Sequence, residues 1–581
     1  MHPPEAISDH HQHLALVHGA TDHPLWSKTL GQVVDEQAER LGEKTVAVLP
    51  WQNVRISFQQ LAARARRFAA GLLRAGLQRG DNIAIMAGNR VEYLEVVIGG
   101  ALIGCPVLVV NNTYKPWELR NALHKTSCRM LFLASTIGSR SMVEHFQILT
   151  SPPDMHRVVM LGDGDCSAIP QVQSYATFIA NSKSLLADGV LQQAMEAVEP
   201  SEVLSLQFTS GTTGEPKASM LTHIISNLLN NARFLGQRME LTTNDIVCCP
   251  PPLFHCFGLV MAFFSTLIHG GTIVFPSDHF NPDLVLDAIT QEKCTTLLGV
   301  PTMFIAEMEA NRSRGYRLTT LHKGMIAGSP VSLPLMADIQ KHMGIDGMVI
   351  AYGMTETSTI TFSTSLTDSP ENRAKTVGRV MPQVTAKIVN PRGETVRRGE
   401  IGELCISGYA LQKGYWSNEL KTKEVMRVHD DGVLWMHTGD ECLIDEDGYC
   451  HAMGRIKDII IRGGENIFPA EIEERLLLNP GLGEASVVGV NDSKYGEVVG
   501  CFLKGVDGYT MADNEIKDWV RSTMGTAKTP QHVFWIGADG VCADFPKTGS
   551  GKHQKHLLRE MADELLGHRR LCKDTVARSE S

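Results

Sequence analysis

A stretch of small and hydroxylated residues near the middle of the 581-residue chain has the composition of a polyphosphate-binding loop. It follows an apolar run, residues 203–208, that predicts a short buried strand. Its glycines let backbone N–H groups turn toward an anion, its hydroxyls add donors, and its lysine adds positive charge. The candidate phosphate contacts are Thr209, Ser210, Gly211, Thr212, Thr213, Gly214 and Lys217. The alternative interpretation is a surface turn rich in serine and threonine.

This loop differs from the commonest nucleotide-binding motifs. A Walker A loop ends in glycine, lysine and then serine or threonine, whereas Pro216 occupies the position of that glycine here. A later glycine-rich segment, residues 549–552, also fails, because Pro546 replaces the first glycine of the motif and His553 follows the lysine. We find no Gly-x-Gly-x-x-Gly dinucleotide fingerprint. The phosphate loop therefore belongs to another design.

Two further segments carry groups suited to a nucleotide. Tyr352 offers a flat aromatic face for a base, Thr355 a hydroxyl for a phosphate, and Glu356 a hard oxygen ligand for Mg²⁺. Asp440 ends a predicted turn, residues 438–440, between two predicted strands. A carboxylate there could accept hydrogen bonds from both hydroxyls of a ribose. Either segment alone would more often be an ordinary turn.

The elements that would position these groups alternate between short apolar strands and amphipathic helices. The predicted helices of the first part span residues 30–38, 58–75, 93–103 and 117–124, and the predicted strands span 45–49, 82–86, 106–110 and 130–133. This alternation predicts a largely parallel sheet covered on both faces. Sheets of this kind bind ligands at one edge, and predicted strands ending near residues 327 and 350 would deliver their loops there.

Outside this pattern the chain changes texture twice. Residues 135–200 are irregular and are expected to wind over the surface. From residue 377 the sequence becomes β-rich, with strands predicted at 433–436 and 441–444, which indicates a small antiparallel subdomain. After residue 457 a compact α+β set of elements follows.

The bulk composition excludes several classes of protein. A formal net charge of −10 and a pI of about 6.1 argue against a large nucleic-acid-binding surface. The 13 cysteines form no Cys-x-x-Cys pair, which favours reduced thiols in the cytoplasm over disulfides or a zinc site. The His-rich N-terminus resembles neither a secretory nor a mitochondrial signal. The two longest apolar runs are interrupted by charges, proline or glycine, so we expect no membrane span. The oligomeric state stays open.

The phosphate loop resembles the signature of the adenylate-forming superfamily, which includes acyl-CoA synthetases, luciferases and peptide-synthetase adenylation domains. The later motifs follow in the order of that family from about residue 30 to about residue 560, and the nearest likeness is to short- and medium-chain acyl-CoA synthetases. The resemblance implies an α/β fold: a large N-terminal domain of parallel-rich sheets with a β-rich subdomain, and a small mobile C-terminal α+β domain. We expect a flexible tail at 1–28, the AMP-binding domain at 29–456 and the C-terminal domain at 457–581.

The resemblance also assigns site residues. It implies that Lys552 is the catalytic lysine, aided by Thr212 and by Glu356 as the Mg²⁺ ligand, and that Lys457 is the hinge between the domains. His553 departs from the family, which usually has an apolar residue at this position. The remaining nucleotide and CoA contacts implied are Gly328, Ser329, Tyr352, Gly353, Thr355, Asp440, Arg455, Gly463 and Gly464, and the residues implied at the acid substrate are His255, Phe257 and Gly328. A histidine hydrogen-bonded in a packed turn is an equally plausible interpretation of His255.

The expected reaction uses ATP, Mg²⁺ and CoA. A carboxylic acid, expected to be a fatty acid, would first form an acyl-adenylate with release of pyrophosphate, and its acyl group would then pass to CoA with release of AMP. A luciferase-type oxygenase, which shares the adenylation step, is a weaker rival, and two further alternatives stay open. One is an adenylating enzyme that loads a separate carrier protein, because the chain contains no recognisable carrier domain. The other is a catalytically inactive nucleotide-binding scaffold, which the intact candidate residues disfavour.

Overall fold

The computed structural model describes residues 13–150, 157–164, 169, 172–180, 189–208, 220–328, 331, 333–549 and 551–567. The predicted phosphate loop, residues 209–217, and Ser329 lie outside them. Within these ranges, no helix combines the length and the apolar character needed to cross a bilayer.

The first part of the chain alternates strands and helices, as the periodicity predicts. Local signals begin the helices: the first helix starts after Thr29, whose side chain accepts a hydrogen bond from the backbone N–H of Gln32 in a capping box. The elements are β1 (Leu16–His18), α1 (Leu30–Leu41), β2 (Thr45–Leu49), β3 (Val54–Ser57), α2 (Phe58–Arg74), β4 (Ile83–Met86), α3 (Val91–Leu102), β5 (Val107–Val109), α4 (Pro116–Lys125), β6 (Met130–Ala134), β7 (Thr136–Ile137), β8 (Arg140–Ser141), α5 (Val143–Thr150), β9 (Val158–Leu161), β10 (Val172–Ser174), α6 (Tyr175–Ala180) and α7 (Val190–Glu196).

The alternation continues through the middle of the chain. A π-helical stretch, Phe257–Phe264, runs directly into a short α-helix. The elements are β11 (Val203–Phe208), β12 (Met220–Ile224), α8 (Ile225–Arg238), β13 (Ile246–Cys248), α9 (Ser265–His269), β14 (Thr272–Val274), α10 (Pro282–Glu292), β15 (Thr296–Gly299), α11 (Pro301–Arg314), β16 (Lys323–Ala327), α12 (Leu333–Met343), β17 (Gly347–Tyr352), β18 (Phe362–Ser363), α13 (Pro370–Lys375) and β19 (Arg379–Val380).

The last part is richer in strands. Its elements are β20 (Val384–Val389), β21 (Gly402–Gly408), α14 (Glu419–Val425), β22 (Met426–Val428), β23 (Leu434–Ile444), β24 (Cys450–Arg455), β25 (Ile460–Arg462), β26 (Glu465–Ile467), α15 (Pro469–Leu477), β27 (Leu482–Asp492), β28 (Gly496–Gly505), α16 (Asp513–Met524), β29 (His532–Trp535) and α17 (Lys555–Leu565). The sequence predicts this increase in strand content.

Two mostly parallel sheets form the body of the large domain. The first has the strand order β10-β9-β6-β4-β5-β11-β12 and the second has the order β19-β18-β17-β16-β15-β13-β14-β2-β3. The expectation that residues 135–200 wind over the surface is wrong in part, because β9 and β10 extend the first sheet and β9 is buried. Burial of its apolar residues, Val158–Leu161, on both sheet faces stabilises the fold, whereas an exposed loop would leave these side chains in water.

The second sheet brings two of the predicted ligand-binding loops together. Strands β16 and β17 are parallel neighbours in a register that sets Ala327 beside Ala351. Gly328 and Tyr352, the next residues along each strand direction, therefore lie at the same edge. This arrangement agrees with the sequence-based expectation for an open α/β sheet.

The third sheet is antiparallel, with the order β1-β20-β21-β23-β22 and β24 paired to β23. It corrects two expectations. The tail predicted at 1–28 is not free in its described part, because Leu16–His18 hydrogen-bonds along β20. The turn predicted at 438–440 is part of one continuous strand, Leu434–Ile444, whose irregularity is a register shift against β21. A β-bulge accommodates Gly439, with a φ of +71°, without ending the strand.

The C-terminal elements form a separate small sheet with the order β26-β25-β28-β27, and β29 pairs with β28. Helices α15 and α16 pack against one apolar cluster of this sheet, and α17 packs against another. The α/β fold with a large N-terminal and a small C-terminal domain is therefore confirmed. The boundary between residues 456 and 457 stays a prediction.

Candidate active site

A hydrogen-bonded triad joins the second and third sheets. Asp440 on β23 lies directly opposite Arg455 on β24, and the Arg455 Nε lies 2.7 Å from Asp440 Oδ1. The hydroxyl of Tyr352 donates to the other oxygen, Oδ2, at 2.5 Å. Three residues predicted to bind the nucleotide, distant in sequence, are thus in direct contact.

The triad is partly buried: the Asp440 side chain is 10% exposed and the Arg455 side chain 46%. Burial raises the pKa of the Asp440 carboxyl, although Arg455 and the Tyr352 hydroxyl act in the opposite direction. Burial and the neighbouring Asp440 raise the pKa of Tyr352 well above its usual range, so the phenol stays a donor. A carboxylate has about four acceptor positions, so Asp440 retains capacity for the hydroxyls of a ligand.

The loop after Tyr352 needs a glycine. A Cβ atom on Gly353 would lie 1.8 Å from the carbonyl oxygen of Thr359, so any side chain would force the backbone apart. A short 3₁₀ turn, Thr355–Thr357, follows. The hydroxyl of Thr355 lies 3.9 Å from the Sγ of Cys256, which links this loop to the π-helical segment.

Glu356 is a buried carboxylate next to the triad. Its Oε1 accepts a hydrogen bond of 3.2 Å from the hydroxyl of Tyr415. Burial is the main cause that raises its pKa, and the charges of Arg455 and Asp440 act on it in opposite directions. A cation at this carboxylate would favour its ionised form.

A cavity beside these loops contains the three residues predicted to face the acid substrate. It is lined by Pro251, Pro252, His255, Phe257, Val300, Met303, Gly328 and Lys552. The lining is mostly apolar, with one imidazole and one ammonium group. The chemistry of this lining therefore suits a ligand with an apolar body and one polar end.

His255 has a defined protonation state in this wall. Its Nδ1 accepts a hydrogen bond of 3.1 Å from the backbone N–H of Phe257, which assigns the proton of the neutral ring to Nε2. Burial, followed by the charge of Lys552, lowers the pKa of His255 to about 3. The imidazole is therefore neutral and offers one N–H donor.

Lys552 reaches the large domain on a glycine-containing loop. A Cβ atom on Gly549 would lie 2.6 Å from Asn111 Oδ1 and 3.0 Å from the ring of Phe254, so this residue has no room for a side chain. A Cβ atom on Gly328 would lie 3.4 Å from Lys552 Cε. Burial, and then the charge of Arg455, lowers the pKa of the Lys552 ammonium.

The residue after the lysine is fixed by side chains that no motif indicated. His553 Nε2 lies 2.9 Å from Glu484 Oε2, and Lys547 Nζ lies 2.6 Å from the same oxygen. Residues Lys547 and His553 also pair across the loop as an isolated β-bridge. The polar residue at position 553 therefore has a partner in the small domain.

The structure does not bring every candidate into the cavity. Lys457 lies in an exposed 3₁₀ turn, Ile456–Asp458, between β24 and β25. Gly463 and Gly464 form the exposed tip of the β25–β26 hairpin, with φ of +59° and +89°, as a tight hairpin turn requires. Sequence motifs missed Cys256, Tyr415, Asn111 and Glu484, because their single side chains become site neighbours only through the fold.

Family models and curated relatives match most of this chain. The family model described as AMP-binding enzyme matches residues 34–416, and the model of the AMP-binding enzyme C-terminal domain matches residues 471–552. The acyl-CoA ligase SID4 of Ajellomyces capsulatus is 44% identical over 97% of this chain and 96% of its own. The mitochondrial medium-chain acyl-CoA ligase ACSF2 of Danio rerio is 35% identical over 95% of this chain and 91% of its own.

A solved structure supports the fold. The crystal structure of the anthranilate CoA ligase AuaEII in complex with anthranoyl-AMP superposes with a TM-score of 0.82 over 94% of this chain and 99% of that chain. Its sequence identity of 22% is low, so this likeness concerns the fold alone.

Proposed function

The chain belongs to the family of AMP-binding enzymes and is an acyl-CoA synthetase, and we propose that it activates a fatty acid in two steps. Its substrates are an acid, ATP and CoA. In the first step a carboxylate oxygen attacks the α-phosphorus of ATP, the bond to the β-phosphate breaks, and pyrophosphate leaves. In the second step the CoA sulfur attacks the acyl carbonyl, the bond to AMP breaks, and the thiol proton passes to solvent.

One observation supports the first step: Lys552 of the small domain lines a cavity of the large domain. Its ammonium shares that cavity with His255 and with Gly328, which directly follows β16 at the sheet edge. We assign Lys552 the stabilisation of charge that develops on the α-phosphate. Burial and the charge of Arg455 lower its pKa, and an anionic substrate beside the ammonium would favour its charged form.

The nucleotide would be held by the triad. Asp440 would accept the ribose hydroxyls, and Arg455 would keep the carboxylate ionised at a distance of 2.7 Å. Tyr352 would present its ring to the base while its hydroxyl orients Asp440. Thr209, Ser210, Gly211, Thr212, Thr213, Gly214 and Lys217 are proposed to bind the β- and γ-phosphates. Fixing the reactants in this way lowers the barrier by positioning.

Mg²⁺ is the proposed metal, and Glu356 is the residue that would hold it. The fit rests on a carboxylate that is 8% exposed and has the Tyr415 hydroxyl as its side-chain donor. When bound, the ion would supply positive charge to the phosphates of ATP. Thr355, one residue earlier, would offer its hydroxyl to a phosphate oxygen.

The acid would lie in the cavity with its chain against Phe257, Val300 and Met303. The apolar lining supports a fatty acid, and a relative named a medium-chain acyl-CoA ligase supports the same substrate class. His255, neutral with a proton on Nε2, would donate a hydrogen bond to the acid without adding a charge. Gly328 would leave room for the reacting carboxylate.

The second step requires the small domain to move. The loop with Lys552 fills part of the cavity, whereas the Gly463-Gly464 hairpin tip is exposed away from its lining residues. We propose that the C-terminal domain, 457–581, rotates about Lys457, withdraws Lys552 and presents Gly463 and Gly464 to CoA. The exposed turn that contains Lys457 supports this hinge.

The half-reactions can be separated with Lys552→Ala. We expect this variant to lose pyrophosphate release from ATP and acid while it still transfers a preformed acyl-adenylate to CoA. Lys555→Ala is the matched control, because Lys555 pairs with Glu473 at 2.7 Å and does not line the cavity. Equal loss of both half-reactions in Lys552→Ala would refute the assignment.

The acid and the acceptor are tested by pyrophosphate release across carboxylic acids of increasing length, with and without CoA. Strong stimulation by CoA with medium-chain acids, and an acyl-CoA product, would support the proposal. Adenylate formation without transfer to CoA would favour a carrier-protein acceptor, and nucleotide binding without turnover would favour an inactive scaffold.

The proposed location is the cytoplasm. Every cysteine that the structure describes is free, and most are buried, which suits a reducing compartment. Fractionation of cells that produce the full chain tests this, because co-sedimentation with mitochondria would instead match the location in the name of the ACSF2 relatives.

A further inference from the structure

A cluster of possible metal ligands lies on the third sheet, away from the cavity. Glu403 and Cys405 alternate along β21 and so share one face, and His437 on β23 lies directly opposite Cys405. The Nδ1 of His437 is 2.7 Å from Glu403 Oε2 and 3.5 Å from Cys405 Sγ. One oxygen, one nitrogen and one sulfur all lie within 4.8 Å of one another.

Two of these residues, His437 and Glu403, each have a second polar partner. The other ring nitrogen of His437, Nε2, lies 3.0 Å from His429 Nε2. The other oxygen of Glu403, Oε1, accepts a hydrogen bond of 3.1 Å from the backbone N–H of Gly439. Partners of this kind orient ligands in metal sites, where a ligating histidine donates its second N–H to a neighbour. The remaining atoms, His437 Nδ1 and Glu403 Oε2, contact each other beside the sulfur, and a cation would replace that contact.

We propose that Glu403, Cys405 and His437 bind a divalent cation of the zinc class, with His429 as the residue that orients His437. Thiolate, imidazole and carboxylate together suit Zn²⁺, which takes these donors in tetrahedral geometry, and a water molecule would complete the set. On binding, the Cys405 S–H bond breaks, a bond from sulfur to the metal forms, and the proton passes to solvent.

The exposure of the cluster and the charges around it are compatible with cation binding. The Cys405 thiol is buried, but the side chains of His437 and Glu403 are 10% and 26% exposed, so a cation enters past them. The charges of Lys387 and Arg427 act on the Cys405 thiol, and Lys387 is paired with Asp431 at 3.3 Å. A dication bound there would be neutralised by the negative charges of one thiolate and one carboxylate.

We assign this site a role in stability, because its three residues do not line the cavity. His437 lies three residues before Asp440 on β23, and Glu403 binds the N–H of Gly439, the residue adjacent to Asp440. A cation that ties β21 to β23 would stabilise the strand that presents this carboxylate. This effect does not depend on the proposed reaction, so it can be tested without substrates.

The experiment is titration of the untagged, chelator-treated full-length protein with Co²⁺. We expect one equivalent to produce a thiolate-to-cobalt charge-transfer absorption, which Zn²⁺ then abolishes by displacement. Cys405→Ser should remove this absorption, and His437→Gln should weaken Co²⁺ binding by more than the roughly 10- to 100-fold expected for His429→Gln. Zn²⁺ should raise the Tm of the wild type but not that of His437→Gln.

Two controls keep the result unambiguous. Cys442→Ser removes a buried thiol on β23 that is not in the cluster, and this variant should keep the absorption. Replacing the histidines of the N-terminal sequence, His10, His11 and His13, removes competing ligands that carry no thiol. Absence of the absorption in the wild type at saturating Co²⁺, or its persistence in Cys405→Ser, overturns the proposal.

Discussion

The ring of His553 stacks on the ring of Phe545, with centroids 4.2 Å apart and 15° between the planes. Phe545 is buried in an apolar cluster of the small domain, and His553 directly follows Lys552. The stack therefore connects the loop that contains the lysine to the core of its own domain. Glu484 adds a hydrogen bond to the same imidazole at 2.9 Å.

We predict that His553→Leu slows adenylation about 10-fold, because a lost hydrogen bond to a charged group costs about 1.5 kcal/mol or more and loosens the loop. His553→Gln, which can still reach Glu484, should recover part of the rate. Pyrophosphate release measures the first half-reaction, and thiolysis of preformed acyl-adenylate should be unchanged. His556→Leu serves as the control in the same segment. Equal slowing of thiolysis would contradict a positioning role.

Gly549 gives a test of the domain arrangement. Gly549→Ala places a methyl group 2.6 Å from Asn111 Oδ1, so we expect the loop to be displaced. The rate of adenylation should then fall by about 100-fold, which corresponds to an increase of roughly 2.7 kcal/mol in the activation free energy. The double variant Asn111→Gly with Gly549→Ala should recover part of the activity, since the two residues are in contact. Additive losses in the double variant would show that the clash is not the cause.

Substitutions can distinguish the contributions of the Tyr352 hydroxyl and the Asp440 carboxylate to nucleotide binding. Tyr352→Phe removes one donor but keeps the ring, so we expect the KM for ATP to rise about 10-fold. Asp440→Asn removes the charge that pairs with Arg455 and should raise the KM for ATP further. Equilibrium binding of a non-hydrolysable ATP analogue distinguishes lost affinity from lost turnover. An unchanged KM in both variants would remove the triad from the nucleotide site.

His255 gives a prediction for acid stability. Its pKa in the folded protein, about 3, is below its usual value of 6.5, so the unfolded chain binds more protons between these values. Its contribution to stability is present above pH about 6.5 and is lost as the pH falls toward about 3. His255→Asn should therefore lose less stability than the wild type over this window, as measured by urea unfolding. Parallel pH profiles for the two proteins would contradict the buried neutral state.

Several features follow from local sequence. The alternation of apolar runs and helical periodicity predicts the α/β class, and the change to strands after residue 377 predicts the antiparallel sheet. The capping box at Thr29 and the two glycines at 463 and 464 define a helix start and a hairpin turn within a few residues. Such signals depend on backbone preferences that neighbours in sequence determine.

Other features depend on pairings between distant segments. The irregular stretch 135–200 contains a buried strand because an existing sheet edge binds it, and β1 is ordered by β20, more than 300 residues later. Residues 438–440 resemble a turn locally, and the N–H of Asp440 does bond to Thr438 Oγ1. The Thr438 hydroxyl and the Gly439 N–H nevertheless donate to residues of β21, and Asp440 pairs with Arg455 on β24. Backbone groups of a strand are satisfied by partners that local periodicity does not identify.

The sequence alone determined the kinds of group at the site, because motif residues such as Tyr352, Asp440 and Lys552 have chemistry that is evident from their type. Only the tertiary structure decided which of them touch and in what state. It joins Tyr352, Asp440 and Arg455, and it lowers the pKa of His255 by burial. It also assembles Glu403, Cys405 and His437 from two strands. Distances and desolvation arise from packing, which residue type and spacing do not specify.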